Sequence, residues 1–437
     1  MRKSLLITLE FPPQRGGTQS YYFNICRNLP GEKIFVLAPK PSPNPSAGGE
    51  IVEPSPNPSA GGETETLPLR HPSRLAKADS LRKGEIEFKI YRKNLLSSFL
   101  YPHWLPMVWN LRKIIKKEKI ELVQAGQVLP CGTAAFLVNK FFNIPYIVYT
   151  HGLDILGPQK SLRKKKLMVK ILRNAEKVIS NSEFTKNEVV KLGIDKERVF
   201  VVYPSVDLVD QQNPPPPPAG GPSVGGGLNP PNPPLRKGGD DAPAPCEVDN
   251  LRKKYNLDDK KILLSVCRLV ERKGVDLVIS VLAKFSEELK DMVYVVIGDG
   301  PKMEDLKKIP IGCPQVVFAG RVSDEELDLW YRACDVFILT PKKSEFDVEG
   351  FGIVYAEAGS YSKPVIGSKL AGTCEAVKDG VTGILVEPDN VEQIGKAIVG
   401  LFNDEELREK LGRQGRERVE GEFGVEKMME RLREAIE

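Results

Sequence analysis

Twelve short apolar segments recur along this chain, separated by stretches of helical period. Strands are predicted in the first half at Leu5–Leu9, Lys33–Leu37, Leu122–Ala125, Tyr146–Tyr149, Val178–Ser180 and Phe200–Val202. In the second half they are predicted at Ile262–Val266, Val293–Ile297, Val316–Ala319, Val336–Leu339, Pro364–Gly367 and Gly383–Val386. Each is short and bounded by Gly, Pro or Asp, which predicts α/β architecture with two parallel, doubly wound, Rossmann-like sheets. A chain of 437 residues is long enough for two such cores. Ligands of these folds bind at the carboxyl ends of the strands, so the loops that follow them carry the chemistry.

Two stretches interrupt the pattern. The decapeptide Pro-Ser-Pro-Asn-Pro-Ser-Ala-Gly-Gly-Glu occupies 41–50 and again 54–63, and a Pro/Gly-rich tract runs from Pro214 to Pro245. Residues 41–68 and 214–245 hold 19 of the 36 prolines and too little apolar surface to offset their ordering entropy, so both read as disordered insertions. The expected division is an N-terminal domain over 1–207, a linker over 208–250 and a C-terminal domain over 251–437. No run of 18 apolar residues exists to span a membrane, and Glu10 with two prolines ends the N-terminal apolar stretch too early for a signal peptide. Seven scattered cysteines without a CxxC pair argue against a disulfide framework or zinc site, and for a cytoplasmic, reducing compartment.

Several post-strand loops carry candidate chemistry. Gly16-Gly17, before a helix near Thr18, allows close backbone approach to a phosphate or sugar, or is a plain turn. His151 follows a strand and suits a phosphate or sugar hydroxyl, or is a structural histidine satisfied by Asp154. Arg268 and Lys273, five apart in one loop, suit a diphosphate, whereas Arg272 between them reads as surface charge. Gly298-Asp-Gly300 begins a dinucleotide fingerprint, but Met303 stands where the third glycine belongs, so a nicotinamide enzyme is disfavoured. Glu349 precedes a helix and Glu357 lies on it, with the amides of Phe351, Gly352 and Ile353 between them open to an anion. Residues eight apart on a helix sit roughly 80° apart, so these acids read as two separate tools. Glu357 suits a ribose diol, and Ala371–Glu375 either lines the same cleft or is a plain loop.

With these residues in hand the chain resembles the retaining glycosyltransferases of family 4, whose two Rossmann-like domains face a cleft in the glycosyltransferase-B fold. The motifs include Gly16-Gly17, His151-Gly-Leu-Asp154, Ser182-Glu-Phe-Thr185, Gly298-Asp-Gly-Pro301, Gly320-Arg-Val322 and the Glu349–Glu357 spacing. The resemblance implies that Arg268 and Lys273 bind the diphosphate of a nucleotide sugar such as GDP-mannose or a UDP-hexose. It implies that Glu357 binds the ribose, Val322 the base, and Phe351, Gly352 and Ile353 the sugar and phosphate by their amides. Glu349 and His151 would contact the transferred sugar, and Gly17 would let the first domain close on the donor. A final helix near 424–436 would cross back to the first domain. No cofactor or catalytic metal is implied. The lead-in Thr340–Val348 is similar to that of mannosyltransferases acting on phosphatidylinositol-type lipids. Cys267 stands where the family usually has Gly, and Pro204–Asp207 lacks the usual Asn-Gly pair.

Charge bears on the acceptor. Residues 1–210 hold 32 Lys and Arg against 19 Asp and Glu, and the remainder 31 against 39, so the overall +5 conceals a basic first half. Leu111–Lys119 and Lys160–Lys177 concentrate that charge, with Leu167, Met168, Ile171 and Leu172 interleaved. These are either solvated helix faces or a surface for anionic membrane lipid. No nucleic-acid motif accompanies them. The expectation is therefore an enzyme of cell-envelope glycan synthesis, peripheral on the inner membrane face, acting on a lipid-linked or glycan acceptor. An inactive nucleotide-sugar-binding subunit and a sugar-nucleotide 2-epimerase are the alternatives.

Overall fold

The computed structural model describes residues 1–12, 16–40, 64–66, 88–97, 100–209, 245–309 and 315–436. The two copies of the decapeptide and most of the Pro/Gly-rich tract lie outside the described residues.

The first strand shows why the sheets are parallel and covered. Ser4, Leu5, Leu6 and Ile7 are all buried, which requires packing on both faces. This strand, β1 (Ser4–Ile7), is followed by β2 (Ile34–Pro39), β3 (Thr64–Thr66), β4 (Lys89–Lys93) and β5 (Leu122–Ala125). The first sheet is completed by β6 (Tyr146–Thr150), β7 (Lys177–Ser180) and β8 (Val199–Val201), in the order β3-β4-β2-β1-β5-β6-β7-β8. Only β3 runs antiparallel to its neighbour. The second sheet contains β9 (Lys261–Val266), β10 (Met292–Ile297), β11 (Gln315–Gly320), β12 (Val336–Leu339), β13 (Val365–Ser368) and β14 (Gly383–Val386). Its order is β11-β10-β9-β12-β13-β14, parallel throughout.

All twelve predicted strands are present, with ends shifted by at most two residues, and both sheets are doubly wound. Two strands were not anticipated. In β4, Lys89-Ile-Tyr-Arg-Lys, three cations surround the buried Ile90 and Tyr91 and disguise the strand. Strand β3 falls inside the segment expected to be a disordered insertion and pairs along β4.

The expected linker is also shorter than its predicted span. Pro245–Lys254 form a helix, with Val248 and Leu251 buried in the second core. Val206 and Val209 already belong to that core. The chain then returns, because the last helix, Val425–Ile436, buries Met428, Met429, Leu432, Ala435 and Ile436 against Leu6, Tyr21, Val36 and Ile179 of the first domain. Those positions form one stripe at helical spacing.

Strand order directs attention to two places. In the first sheet the winding reverses at β1, flanked by β2 and β5, and in the second at β9, flanked by β10 and β12. A ligand crevice is expected at each reversal. The returning helix gives a test. Leu432 is fully buried, so Leu432→Ala should lower stability by roughly 2–5 kcal/mol in denaturant unfolding.

Candidate functional site

The loop after β9 is shaped by a close approach. Glu271–Lys273 form a tight 3-10 turn ended by Gly274 at φ 71°, where an added Cβ would lie 2.0 Å from the Thr340 carbonyl oxygen. Only glycine fits there, and the loop is thereby pressed onto the end of β12. Lys342 N also donates to the Arg272 carbonyl at 2.8 Å. These contacts bring Lys273 to Glu349: its ammonium is hydrogen-bonded to Glu349 Oε2, and Arg272 Nη1 donates to the same oxygen at 2.9 Å. Arg272 Nε meets Asp347 at 2.8 Å.

The Lys273 and Glu349 side chains are only 11% and 14% exposed. Burial alone would raise the Glu349 carboxyl, but Lys273 and Arg272 outweigh it and bring it down to about 2. Glu349 is therefore a fixed anion near neutral pH and no proton donor. Arg272 is consequently not the plain surface charge its neighbours suggested. Arg268 is exposed at the mouth of the same loop.

After Glu349 the chain turns through Gly352, at φ 82°, into the helix Ile353–Ser360. The Tyr355 hydroxyl donates to the Leu339 carbonyl at 2.7 Å, anchoring this helix to β12. Phe351 is buried against Tyr203 and Phe423. Glu357 lies in the second turn and accepts from the Tyr331 hydroxyl at 2.7 Å. Val322 follows β11 and is partly buried against the second core.

In the first domain, Gly16 and Gly17 open the helix Gly17–Arg27 after β1. His151 follows β6, packed edge-on against Tyr21 and Tyr22, and its Nε2 is within hydrogen-bond reach of the Tyr22 hydroxyl. Burial pushes the imidazole down to about 4, despite a favourable contact with the Gly126 backbone, so it is neutral near pH 7. Asp154 accepts from the His151 backbone amide at 2.8 Å and does not satisfy the ring. Burial raises the Asp154 carboxyl to about 6, against the amides that stabilise its charge.

The two halves meet at glycines. A Cβ on Gly350 would sit 2.2 Å from the His151 carbonyl oxygen, and one on Gly152 would sit 3.3 Å from Gly350 Cα. A Cβ on Gly17 would come within 3.2 Å of Ile353 Cγ2. The structure therefore gathers Gly17, His151, Lys273, Glu349 and Ile353 around one cleft, with Arg268, Val322 and Glu357 placed on the second-domain loops and helix. The sequence carried no sign of the Tyr22 contact or of the close approach of Gly152 to Gly350, although both glycines lie inside quoted motifs, and it made Arg272 look like surface charge. The available local signals were the place of Arg272 between Arg268 and Lys273 and the places of Gly152 and Gly350 directly after His151 and Glu349. No three His, Cys, Asp or Glu side chains among the described residues are grouped to hold a metal ion.

Comparison with known proteins follows this division. Residues 15–210 match the family model described as Glycosyltransferase Family 4, and residues 247–418 match Glycosyl transferases group 1. A GDP-mannose-dependent alpha-(1-6)-phosphatidylinositol monomannoside mannosyltransferase of Mycobacterium tuberculosis is 24% identical over 97% of this chain and 95% of its own. An uncharacterised glycosyltransferase of Methanocaldococcus jannaschii is 27% identical over 75% of this chain and 78% of its own. Among solved structures, Anabaena HepE in complex with UDP-glucose superposes with a TM-score of 0.70 at 17% identity, over 100% of this chain and 99% of that one.

Two outcomes follow from the geometry. Gly350→Ala should drive the His151 and Glu349 loops apart, seen as weakened ligand binding and a lowered melting temperature. Glu349→Gln leaves two cations without their carboxylate and should destabilise by roughly 3 kcal/mol at pH 7. The folded-state pKa of Glu349 is depressed, so wild type holds this stability above its ordinary value of 4.5 and loses it as pH falls toward about 2. The gap between wild type and variant in pH-dependent unfolding should narrow across that window.

Proposed function

The chain belongs to the group 1 glycosyltransferases of the family 4 type, with the glycosyltransferase-B fold, and from that premise we propose a retaining mannosyl transfer from GDP-mannose to a phosphatidylinositol-type lipid acceptor. The observation that carries this assignment is the Arg272–Glu349–Lys273 cluster at the second reversal point, set against the His151 loop. Support for the donor and acceptor comes from the mycobacterial relatives, which match nearly the full chain and are named GDP-mannose-dependent alpha-(1-6)-phosphatidylinositol monomannoside mannosyltransferases.

In the proposed reaction Arg268 and Lys273 neutralise the donor diphosphate, with Arg supplying a fork and Lys a point charge. Glu349 holds Lys273 in place and faces the sugar. Glu357, steadied by Tyr331, takes the ribose hydroxyls, Val322 contributes backbone contacts to the base, and the amides of Phe351, Gly352 and Ile353 face the phosphate and sugar. Neutral His151 contacts a sugar hydroxyl, and Gly16 and Gly17 allow the first domain to approach the donor. The bond from the anomeric carbon to the diphosphate breaks, and the acceptor oxygen bonds to the same face. The acceptor proton passes to a diphosphate oxygen. Side-chain cations supply the neutralising charge, and a catalytic metal has no part in the proposal.

The acceptor is proposed to be reached at a membrane surface. Helices Leu105–Glu118 and Leu162–Asn174 present the basic runs, and Trp109, Phe141 and Leu162 stand 56%, 68% and 77% exposed near them. Met168, Ile171 and Leu172 turn inward into the first core and are not part of that surface. Apolar and cationic side chains together favour an anionic interface. No helix among the described residues is long and apolar enough to cross a membrane.

Thermal-shift titration with GDP, UDP and ADP tests the donor. GDP at 100 times its dissociation constant should stabilise by about 2.7 kcal/mol. Arg268→Ala and Lys273→Ala should each weaken GDP binding roughly tenfold or more. Undiminished binding in both would remove the site assignment, and stabilisation by none of the three would remove the donor. Vesicles rich in phosphatidylinositol should retain the protein at low salt and release it at high salt; no retention at low salt defeats the membrane proposal.

A further inference from the structure

The helix Glu183–Lys191 of the first domain is capped by the second. An α-helix leaves its first four N–H groups without partners of its own. Lys186 N makes the first regular helical bond, to the Ser182 carbonyl at 3.0 Å, and of the three amides of Glu183, Phe184 and Thr185 before it, Thr185 N donates to Ser182 Oγ at 3.1 Å. The other two go to one carboxylate across the cleft: Glu375 Oε2 accepts from Glu183 N at 2.7 Å, and Oε1 from Phe184 N at 2.6 Å. These are charge-assisted bonds at the positive end of a helix.

The backbone that carries Glu375 is stacked on the site. Gly372 N donates to the Glu349 carbonyl at 3.1 Å, and a Cβ on Gly372 would lie 2.0 Å from the Gly350 carbonyl oxygen. Arg418 holds the turn from behind, donating to the Glu375 and Ala376 carbonyls at 2.6 and 3.2 Å. On the helix side, Thr185 Oγ1 donates to Asn181 Oδ1 at 2.9 Å, and Asn181 flanks Gly350. A closed circuit results, from Glu349 and Gly350 through Gly372 and Glu375 to the helix start, then through Asn181 back to Gly350.

We propose that Glu375 is a positioning residue, an interdomain clasp whose two bonds to the Glu183–Lys191 helix set the distance between the His151 loop and the Glu349 loop. Its link to turnover rests on the glycosyltransferase reading above; its link to domain closure does not.

Two substitutions approach the clasp from opposite sides. Glu375→Ala removes the acceptor. Glu183→Pro removes one donor, at the first helical position, where proline is well tolerated. Ser182 before it is extended, at φ −161° and ψ 160°, as a residue preceding proline requires. Small-angle scattering of the full chain should show a larger radius of gyration for both variants than for wild type. Turnover of GDP-mannose should fall roughly tenfold in each, with GDP affinity within about threefold, and the double variant should be no worse than Glu375→Ala alone. Scattering that superimposes on wild type overturns the clasp, and expansion without loss of turnover overturns its positioning role. Expansion in the variants of a protein whose wild type turns over no nucleotide sugar upholds the clasp and removes the glycosyltransferase reading instead.

Discussion

A carboxylate as enclosed as Glu349 stays ionised only where opposite charge meets it, and Lys273 with Arg272 supplies that charge. The pair depends on backbone as much as on charge. Gly274 lets the loop after β9 lie against Thr340, and without that approach Lys273 would not reach the end of β12. The same contact fixes where Glu349 and Gly350 face the first domain. Both the electrostatics of the cleft and its width thus trace to one packed junction between adjacent strands of the second sheet.

The first domain meets that junction with small residues and neutral groups. Gly152 and Gly350 allow two backbones to come within van der Waals distance, and the Tyr21–Tyr22 pair keeps the His151 ring enclosed and uncharged. The chain also crosses between domains twice. Val206 and Val209 enter the second core, and the helix Val425–Ile436 returns to the first. The domains are therefore joined by shared apolar packing and by the Glu375 bonds as well as by chain connectivity.

Much of this was legible beforehand. Runs such as Val336–Leu339 declare a buried strand because apolar periodicity is a local property. Loops such as Arg268–Lys273 could then be assigned to strand ends. The unforeseen parts have local patterns that mislead. Strand β4 is lined with Lys and Arg, Arg272 resembles any surface cation, and Glu375 ends a segment whose pattern fits cleft lining and plain loop equally and gives no sign of a bond to the other domain. Gly350 is one glycine among many, and its contact with His151 spans almost two hundred residues of sequence.

The two α/β sheets, their strands and the loops at their carboxyl ends are written into local residue patterns, since burial pattern and turn residues act over a few positions. Which charges neutralise one another, and how near the domains stand, depend on the assembled fold. Ion pairs and hydrogen bonds act over a few ångströms, whereas Lys273 and Glu349 are 76 residues apart and Glu183 and Glu375 are 192. Sequence separation carries no record of such distances, and the packing of Gly274, Gly350 and Gly372 sets them.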